Sequence, residues 1–479
     1  MKILFVTSEA SPFAASGGLG DVMGALPKEI VKADDNVTAE VIMPYHSAIK
    51  EEYKAKFKKE IDISFRLGWR NTGASVYSYT LSGVRYLFVE NEYYFNRGRL
   101  YGEFDDAERY AFFSMAVVEY MLQSGNIPDV LHANDWQSAL AVIYLKTEYA
   151  HFDALKSVRT VYTIHNIEYQ GKFDPYILSD VFALDSQHYS LVEFDGCINL
   201  MKGAIEATDY ITTVSPNYAC ELQYDFFAFG LNEIIAKNSH KMRGVINGID
   251  YDTFSPTVKD IYKTYTKRTV KSGKAANKAA LCTELGLDCN PDIPLLVMIT
   301  RLASQKGIDL LLHIAEELLE KRIQLVVLGT GEEEYENALM HLANTHNNLC
   351  ALIKFDRVLS KRLYAAADIF LMPSKSEPCG LAQMISCSYG TVPIVRNVGG
   401  LADSIVGYDA PGSNGFKFDN YNAHELLYAI ERALVLYDDK KEWAELRKRN
   451  INCDFSWKNS ALNYIDIYKY LIDWQVKNG

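Results

Sequence analysis

The most constraining feature of this sequence is a repeated alternation between short apolar runs and segments of helix length. In the first half, seven apolar runs are predicted strands: residues 3–6, 39–43, 86–89, 130–132, 161–164, 210–214 and 245–246. Segments with helical periodicity lie between several of them, notably 107–122 and 137–149. Strands joined by helices form βαβ units, and such units assemble into a parallel sheet.

The same alternation restarts at Pro294 and predicts a second α/β unit. Its predicted strands are residues 295–299, 325–328, 349–353, 369–372 and 392–395, and its predicted helices are 308–321, 333–344 and 360–367. At 479 residues the chain is too long for a single core. We expect two doubly wound α/β domains, at 1–255 and 256–456, and a helix at 457–479 that packs back on the first domain.

Two doubly wound domains in tandem also predict where a ligand binds. In such folds ligands bind at the carboxyl ends of the strands, and the cleft between two domains is the natural shared site. The segment from 255 to 289 loses the alternation, and it carries seven Lys or Arg between Lys259 and Lys278 against one acid, Asp260. We expect a solvated linker and helix there; a lysine facing the cleft is the alternative.

The composition excludes several classes of protein. A formal net charge of −12 leaves no basic excess to neutralise a nucleic-acid backbone, although a nucleotide substrate needs only a few local cations. The eight cysteines form no C-x-x-C pair, so neither a disulfide framework nor a zinc site is expected. The chain starts directly on a strand and has no apolar run of membrane-spanning length, which predicts a cytoplasmic protein.

A glycine-rich turn follows the first predicted strand and opens a helix: Ser16-Gly17-Gly18-Leu19-Gly20-Asp21. Glycines let the backbone approach a ligand closely. The spacing is not that of a dinucleotide-binding fingerprint, and no P-loop lysine follows. Taken alone, this turn is a weak signal, because α/β proteins commonly have a glycine turn at this place.

Polar residues also follow two successive predicted strands of the first unit. The first strand ends in His132-Ala-Asn-Asp135-Trp136, and the next ends in His165-Asn166. Carboxylates and amides can hold sugar hydroxyls, and a neutral histidine can donate a hydrogen bond to one. A lone histidine is more often structural, but two at successive carboxyl ends favour a sugar or polyol site.

In the second unit, two cations follow the first predicted strand. Arg301 and Lys306 combine a planar guanidinium with a point charge, a pair that suits a diphosphate. In an acidic protein, two cations at a strand end are better interpreted as anion ligands than as solvated charges.

A carboxylate and a turn follow the predicted strand 369–372. Glu377 precedes a helical pattern that opens near Gly380, and the free N–H groups of a helix N-terminus can bind a phosphate. An ordinary strand-to-helix turn explains this stretch equally well by itself. The same ambiguity holds for the Gly399-Gly400 turn. No G-x-S-x-G or H-E-x-x-H motif is present, while glycosidase chemistry with paired carboxylates stays open.

Together these motifs resemble the family of bacterial glycogen synthases and plant starch synthases along the whole chain. The matching segments are residues 16–22, 132–136, 163–171, 195–202, 213–216, 245–250, 301–306, 377–381 and 399–403. The resemblance implies two Rossmann-like domains facing a cleft, the GT-B architecture, with the nucleotide mainly on the second domain.

The resemblance also implies an activity. Glucose would pass from a nucleotide sugar, ADP-glucose in preference to UDP-glucose, to the non-reducing end of an α-1,4-glucan. The anomeric configuration would be retained, and no metal or other cofactor would be needed. Neither a nucleic acid nor a membrane is an implied partner.

Individual residues receive roles from the same resemblance. The implied catalytic residues are His165, Glu377, Arg301 and Lys306. The implied donor-binding residues are Gly17, Gly18, Asp21, Asn166, Asn247, Phe355, Cys379, Gly380 and Leu381. The implied sugar-pocket residues on the acceptor side are Asp135 and Trp136. Arg301 and Lys306 would hold the diphosphate, and Glu377 would hold glucose hydroxyls above His165.

One departure from the family pattern weakens the implied donor site. The first loop of the family usually reads Lys-x-Gly-Gly-Leu, and its lysine reaches the donor phosphates; here that position is Ala15. A non-catalytic glucan-binding or initiation-helper homologue, with donor binding weakened by Ala15, is therefore the alternative function. A transferase of the same architecture that forms sucrose or trehalose is a second alternative.

Overall fold

The computed structural model describes residues 1–478, with side chains described as far as residue 473, and these residues form two compact units. The first unit comprises residues 1–247 and the chain from Trp457 onward, and the second comprises 248–456. The predicted boundary, after residue 255, therefore lies eight residues beyond the observed one, which follows Asn247. The Ile249 N–H donates to the Phe455 carbonyl at 2.8 Å, which ties residues 248–255 to the second unit. Gly479, the last residue of the predicted closing helix, lies outside the described residues.

A nine-stranded sheet organises the first unit. In spatial order its strands are Met242–Gly244, Tyr210–Thr213, Arg159–Ile164, Val130–Asn134, Lys2–Val6, Thr38–Pro44, Val84–Glu90, Arg70–Leu81 and Lys58–Leu67. The first seven are parallel, as predicted, and Arg70–Leu81 runs antiparallel to both of its neighbours, Val84–Glu90 and Lys58–Leu67. The sequence interpretation missed that antiparallel pair and placed one strand at 245–246, three residues beyond its observed start at Met242.

Helices and a small second sheet complete the first unit. The helices are Gly18–Ala33, Glu51–Lys54, Glu92–Phe95, Asp106–Ser124, Ala139–Lys146, Tyr189–Val192, Leu200–Ala207, Pro216–Glu221, Asp225–Ala228, Asn232–Lys237 and Trp457–Asn478. The small antiparallel sheet contains Lys172–Phe173, Cys197–Asn199 and Glu193–Phe194. Among the described residues, no helix is long and apolar enough to cross a membrane.

The second unit contains a six-stranded sheet in which every strand is parallel to its neighbours. In spatial order the strands are Leu349–Ile353, Gln324–Gly329, Leu295–Ile299, Ile369–Met372, Val392–Arg396 and Phe416–Phe418. The helices are Val270–Leu285, Ile308–His313, Ala315–Leu319, Glu333–Thr345, Arg357–Ala366, Ala382–Ser388, Gly399–Ser404, Ala423–Asp438 and Lys440–Asn452. The predicted helix 308–321 is interrupted at Ile314. This unit is a doubly wound α/β fold, as the alternation predicted.

The order of the strands fixes where each unit can bind a ligand. In the second unit the first strand in sequence, Leu295–Ile299, lies between Gln324–Gly329 and Ile369–Met372. In the first unit Lys2–Val6 likewise lies between Thr38–Pro44 and Val130–Asn134. The chain therefore crosses to opposite faces of the sheet on the two sides of each first strand. Such a switch point opens a crevice at the carboxyl ends of the strands.

The closing helix Trp457–Asn478 packs against the helix Gly18–Ala33 of the first unit. Its buried aromatic residues, including Tyr464 and Tyr468, belong to the same apolar core as Phe5 of the first strand. Burial of large aromatic side chains supplies much of the hydrophobic stabilisation in such a core. The far end of the chain is therefore a structural part of the first unit.

The basic segment after residue 255 is not simply solvated, because two of its lysines, Lys274 and Lys278, are buried in the second unit. Lys274 is 1 % exposed, and its ammonium group donates to the Tyr364, Ala365 and Tyr389 carbonyls at 3.1, 3.2 and 3.3 Å. It also donates to Thr391 Oγ1 at 2.7 Å. Tyr364 and Ala365 lie in the last turn of the helix Arg357–Ala366, where unpaired carbonyls attract a cation.

Lys274→Ala should lower the stability of the second unit by about 2–4 kcal/mol, because several buried carbonyls would lose their donor. The change is measured as a shift of the urea unfolding midpoint of that unit. Lys271→Ala, an exposed lysine on the same helix, is the matched control and should change the midpoint little. Equal effects of the two substitutions would contradict the structural role given to Lys274.

Candidate active site

The candidate site of the first unit lies where two adjacent parallel strands end. Val130–Asn134 and Arg159–Ile164 are neighbours in the sheet, and Asp135 and His165 follow them. One oxygen of the Asp135 carboxylate accepts a hydrogen bond from the His165 backbone N–H at 2.8 Å. The structure thus brings together two residues that the sequence assigned to the same sugar pocket.

The hydrogen bonds of Asn134 determine which nitrogen of His165 carries the proton. The Asn134 amide nitrogen donates to the Val6 and His132 carbonyls, both at 3.2 Å, so the amide oxygen faces His165 Nε2 at 2.9 Å. Because an amide oxygen only accepts, Nε2 is the protonated nitrogen. Burial lowers the pKa of His165 to about 3, so its ring is neutral at physiological pH with Nδ1 unprotonated.

Asp135 is held in an unusual state by its surroundings. Its backbone has φ = +56°, a conformation that is uncommon for residues other than glycine. Burial raises the pKa of its carboxyl to about 7, with a further increase from nearby Glu9. The backbone N–H groups of His165 and Asn166 act in the opposite direction and stabilise the carboxylate. Asp135 can therefore gain or lose a proton near neutral pH.

His132, which the sequence grouped with His165, is a core residue. Its ring is fully buried, with Nδ1 2.7 Å from the Tyr468 hydroxyl and Nε2 2.5 Å from Thr163 Oγ1. Burial lowers its pKa to about 3, so it is neutral as well. The structure therefore does not place His132 at the candidate site, and of this pair His165 alone lies there.

A buried carboxylate that the sequence interpretation missed shapes the glycine-rich turn. Glu9 follows the first strand, is 2 % exposed, and accepts hydrogen bonds from Ser16 N, Ser16 Oγ at 2.8 Å and Gly20 N at 3.1 Å. A carboxylate near a helix N-terminus is favoured by the helix dipole. Glu9 could have been suspected from its position at the carboxyl end of a buried strand. Burial raises the pKa of Glu9, although these three donors oppose the increase.

Gly17, Gly18 and Asp21 of the turn are exposed around the start of the helix Gly18–Ala33. A Cβ built on Gly18 would meet no atom within 4 Å, so the backbone here is open to a ligand. Ala15, at the position of the family lysine, is also exposed. Residue 15 therefore supplies no cation near the carboxylates of Glu9 and Asp21.

Three further predicted residues lie in the first unit. The half-buried Trp136 ring packs against Tyr110 at 5.3 Å between centroids, in an edge-on arrangement. Asn166 is half-buried, and its side-chain oxygen accepts from the Glu168 N–H at 3.0 Å. Asn247 is 6 % exposed, and within the described chain its buried Oδ1 has no hydrogen-bond partner. A buried oxygen without a partner is costly unless a ligand or water satisfies it.

The centre of the candidate site in the second unit is the carboxylate of Glu377. It is 8 % exposed, and its Oε2 accepts from Lys306 Nζ at 2.7 Å and from Ser374 Oγ at 3.1 Å. Lys306 ends a short 3₁₀ helix after the strand Leu295–Ile299, whereas Glu377 follows Ile369–Met372. These two strands are neighbours at the switch point. The pair is therefore formed by the topology of the sheet.

Close backbone contacts hold the segment from Glu377 to Leu381 in place. Gly400 N donates to the Glu377 carbonyl at 3.1 Å, and a Cβ on Gly400 would lie 2.1 Å from the Cys379 carbonyl oxygen. Glycine is therefore required at 400 by packing. Gly380 has φ = +69°, and the helix begins at Ala382 rather than near Gly380. Cys379 is buried, whereas Gly380 and Leu381 are partly exposed.

The other two predicted residues of the second unit are exposed at strand ends. Arg301 follows Leu295–Ile299, and in the part of the chain that the structure describes its guanidinium forms no hydrogen bond or ion pair. Phe355 follows the strand Leu349–Ile353 with 83 % of its surface exposed. A free guanidinium and a bare aromatic ring at the carboxyl edge of a sheet are both available to a ligand.

Comparisons with known proteins agree with this architecture. A family model described as "Starch synthase catalytic domain" matches residues 2–237, and one described as "Glycosyl transferases group 1" matches residues 287–450. The chain is 46 % identical to a glycogen synthase from Clostridium botulinum, covering 98 % of this chain and 99 % of that one. It is 42 % identical to a glycogen synthase from Clostridioides difficile, with coverages of 99 % and 100 %.

Solved structures show the same fold. The catalytic domain of Starch Synthase IV from Arabidopsis thaliana, bound to ADP and acarbose, superposes with a TM-score of 0.88 at 32 % identity, covering 98 % of this chain and 99 % of that one. A sucrose-phosphate synthase from Thermosynechococcus elongatus superposes with a TM-score of 0.61 at 16 % identity, with the same coverages. At that identity the similarity is one of fold alone. Two doubly wound units with these matches define a glycosyltransferase of the GT-B class. Within that class, the chain belongs to the glycogen synthase and starch synthase family.

The stability of the Asp135→Asn variant relative to that of the wild type should increase as pH rises. The folded-state pKa of about 7 lies above the ordinary value of about 3.9, so the wild type loses up to about 4 kcal/mol of stability between those pH values, and asparagine does not titrate. Urea unfolding of the first unit at pH 5 and pH 8 measures the difference between variant and wild type.

Asp153→Asn is the matched control for this titration. Lys156 lowers the pKa of that exposed carboxyl, so both pH values lie above its titration and the difference from wild type should be equal at each. If the difference in stability between Asp135→Asn and the wild type is also the same at both pH values, the elevated pKa of Asp135 is refuted.

Proposed function

We propose that the protein transfers glucose from ADP-glucose to the non-reducing end of an α-1,4-glucan, with retention of the anomeric configuration. The observation that carries this proposal is the Lys306–Glu377 pair at the switch point of the second unit. It supplies a cation for a diphosphate and a carboxylate for sugar hydroxyls at one place. The glycogen synthase names of full-length relatives support the choice of substrates.

In this proposal the second unit holds the nucleotide sugar. Arg301 and Lys306 bind the diphosphate and stabilise the negative charge that develops on it as the glycosidic bond breaks. Binding of the diphosphate would draw Lys306 from Glu377, and Glu377 would then accept hydrogen bonds from glucose hydroxyls. The amides of Cys379, Gly380 and Leu381 are proposed to face the sugar and phosphates, and Phe355 to lie near the base.

In the first unit, His165 is the proposed catalytic histidine. Its ring is neutral, because burial lowers its pKa, and it does not repel the positive charge that develops on the sugar ring. Asp135 orients it through the backbone N–H. Asn166, Asn247 and Trp136 are proposed to line the sugar pocket, and Gly17, Gly18 and Asp21 to approach the donor. Attack and departure on the same sugar face would give retention without a protein nucleophile.

ADP-glucose is the proposed donor, with UDP-glucose as the competitor. ADP is the nucleotide named with the starch synthase structure that this chain resembles at 32 % identity. No cofactor is proposed, and the reaction is placed in the cytoplasm without a nucleic-acid or membrane partner. Competition between the two donors in a turnover assay decides the preference.

Purified protein should release ADP from ADP-glucose only when an α-1,4-glucan is present. Glucan binding without any release would instead support the non-catalytic homologue that Ala15 suggests. Release that depends on fructose 6-phosphate or glucose 6-phosphate, rather than on glucan, would indicate a transferase forming sucrose or trehalose derivatives. Nuclear magnetic resonance of the elongated glucan identifies the anomer that is formed.

Glu377→Ala and His165→Ala should each reduce turnover by about a hundredfold or more, because each removes a group proposed to act on the reacting sugar. Steady-state rates, with circular dichroism to confirm folding, measure the effect. Glu320→Ala, an exposed glutamate of the second unit, should retain wild-type turnover. A folded variant at either site with near-normal turnover would remove that residue from the mechanism.

Ala15→Lys should lower the donor KM by about three- to tenfold, because it restores a cation that can reach the donor phosphates. Residue 15 is exposed, so a long side chain has room there. Ala15→Met, of similar length without charge, is the control and should leave KM unchanged. An equal change in both variants would show that side-chain size, and not charge, governs this position.

A further inference from the structure

Tyr421 lies just beyond the last strand of the second unit, Phe416–Phe418, and its hydroxyl contacts the chain on both sides of Lys306. The hydroxyl donates its single proton to two acceptors, Asp309 Oδ1 at 2.5 Å and the Ser304 carbonyl at 3.1 Å. Burial and the neighbouring carboxylate of Asp309 raise the pKa of Tyr421, so the hydroxyl keeps its proton at physiological pH. One side chain thus fixes the 3₁₀ turn that carries Lys306 and the start of the helix that follows.

The ring of Tyr421 contacts a second segment, the one that leads to Glu377. The Lys375 ammonium lies 5.8 Å from the ring centre and the Arg396 guanidinium lies 5.6 Å from it, both within the range of a cation–π interaction. Arg396 also donates to the Lys375 carbonyl at 2.6 Å and, through Nε, to the Asp419 carbonyl at 3.2 Å. Arg396 therefore connects the loop of Tyr421 to the segment that carries Glu377.

The segments of Lys306 and Glu377 also contact each other directly. The Lys375 N–H donates to the Gln305 carbonyl at 2.8 Å. The ammonium of Lys306 and the carboxylate of Glu377 form the ion pair at 2.7 Å. In the proposed reaction a diphosphate draws Lys306 away and so removes this ion pair. The backbone hydrogen bond and the contacts of Tyr421 then remain to hold the two segments together.

We propose that Tyr421 is a positioning residue of the donor site, which keeps Lys306 and Glu377 correctly placed while their ion pair is open. This inference rests on the proposed function, which supplies the diphosphate and the sugar. In the described part of the chain, Tyr421 forms no hydrogen bond or ring contact with either residue, so it acts through the segments that carry them. Groups that bind a developing charge work best when their positions are fixed beforehand, because ordering them then costs no free energy during the reaction.

Both parts of the tyrosine side chain are needed for this role. The hydroxyl reaches a carbonyl and a carboxylate on one side, and the aromatic face attracts two cations on the other. Phenylalanine keeps the aromatic face and loses the donor, so a single oxygen atom separates the two contacts. A tyrosine that only fills space would lose no ligand affinity on this change. A positioning residue would lose its link to the segment of Lys306 and, with it, affinity for the diphosphate.

The test measures the Kd of the full-length protein for ADP by isothermal titration calorimetry, in a double-mutant cycle. Tyr421→Phe should raise the Kd by about three- to tenfold, because the loosened segment of Lys306 must be ordered as the diphosphate binds. Lys306→Met removes the ammonium and keeps the length of the side chain, and Arg301 remains in that background to bind ADP. There Tyr421→Phe should change the Kd by less than about twofold, because the ammonium that it positions is absent.

Tyr428→Phe is the matched control. Tyr428 is 63 % exposed on the helix Ala423–Asp438, and the Arg432 guanidinium lies 5.8 Å from its ring centre. Within the described residues its hydroxyl forms no hydrogen bond. Loss of that hydroxyl should leave the Kd for ADP unchanged in both backgrounds. Circular dichroism and the stoichiometry of the titration verify that each variant is folded.

Three results would overturn the proposal. An unchanged Kd in Tyr421→Phe shows that the hydroxyl does not position a ligand of the diphosphate. An equal change in the wild-type and Lys306→Met backgrounds shows that Tyr421 does not act through Lys306. A wild type that binds no ADP refutes the inference together with the donor site on which it rests.

The proposed transferase activity is decided separately, by release of ADP from ADP-glucose in the presence of glucan. If the cycle shows coupling between Tyr421 and Lys306 but no ADP is released, the positioning role is supported and the proposed activity fails. If ADP is released and the cycle shows no coupling, the activity stands and the positioning role fails.

Discussion

Burial of a carboxylate just beyond the end of a parallel strand is the interaction on which the candidate sites of both units depend. Glu9 accepts three hydrogen bonds from the glycine-rich turn, Asp135 accepts from the backbone of His165, and Glu377 accepts from Lys306 and Ser374. A buried carboxylate is costly unless it is paired or hydrogen-bonded. Each of these three therefore fixes the groups around it in one arrangement.

The two units use this interaction differently. In the first unit the carboxylates are satisfied mainly by N–H and hydroxyl donors, and burial raises the pKa of both Glu9 and Asp135. In the second unit Glu377 is paired with a cation, so the local charge is balanced before any substrate arrives. This balance supports the proposal that a diphosphate, with its own negative charge, binds to the second unit, where Arg301 is also free among the described residues.

Much of the fold was predictable from the sequence, and the misses have physical causes. Buried parallel strands are continuous apolar runs, so Leu295–Ile299, Leu349–Ile353 and Ile369–Met372 were predicted with the bounds that the structure shows. The hairpin Lys58–Leu67 and Arg70–Leu81 was missed because its strands bury one face only and so contain no continuous apolar run. Lys274 was assigned to solvent because sequence does not show which carbonyls surround a lysine.

The site was predictable only in part for the same reason. His165 and Asp135 were placed correctly at adjacent strand ends, yet His132 has the same local pattern and is buried against Tyr468 from a helix more than three hundred residues later. Glu9 belongs to no recognisable motif. Its role became visible only in the structure, where the glycine-rich turn donates hydrogen bonds to its carboxylate.

The sequence by itself determined the alternation of strands and helices, the family, and the residue types at the strand ends, because these are local properties of the chain. Only the tertiary structure decided that Lys306 pairs with Glu377 and that His165 is neutral with its proton on Nε2. Pairing, protonation and orientation depend on neighbours that lie far away in sequence, and folding alone brings those neighbours together.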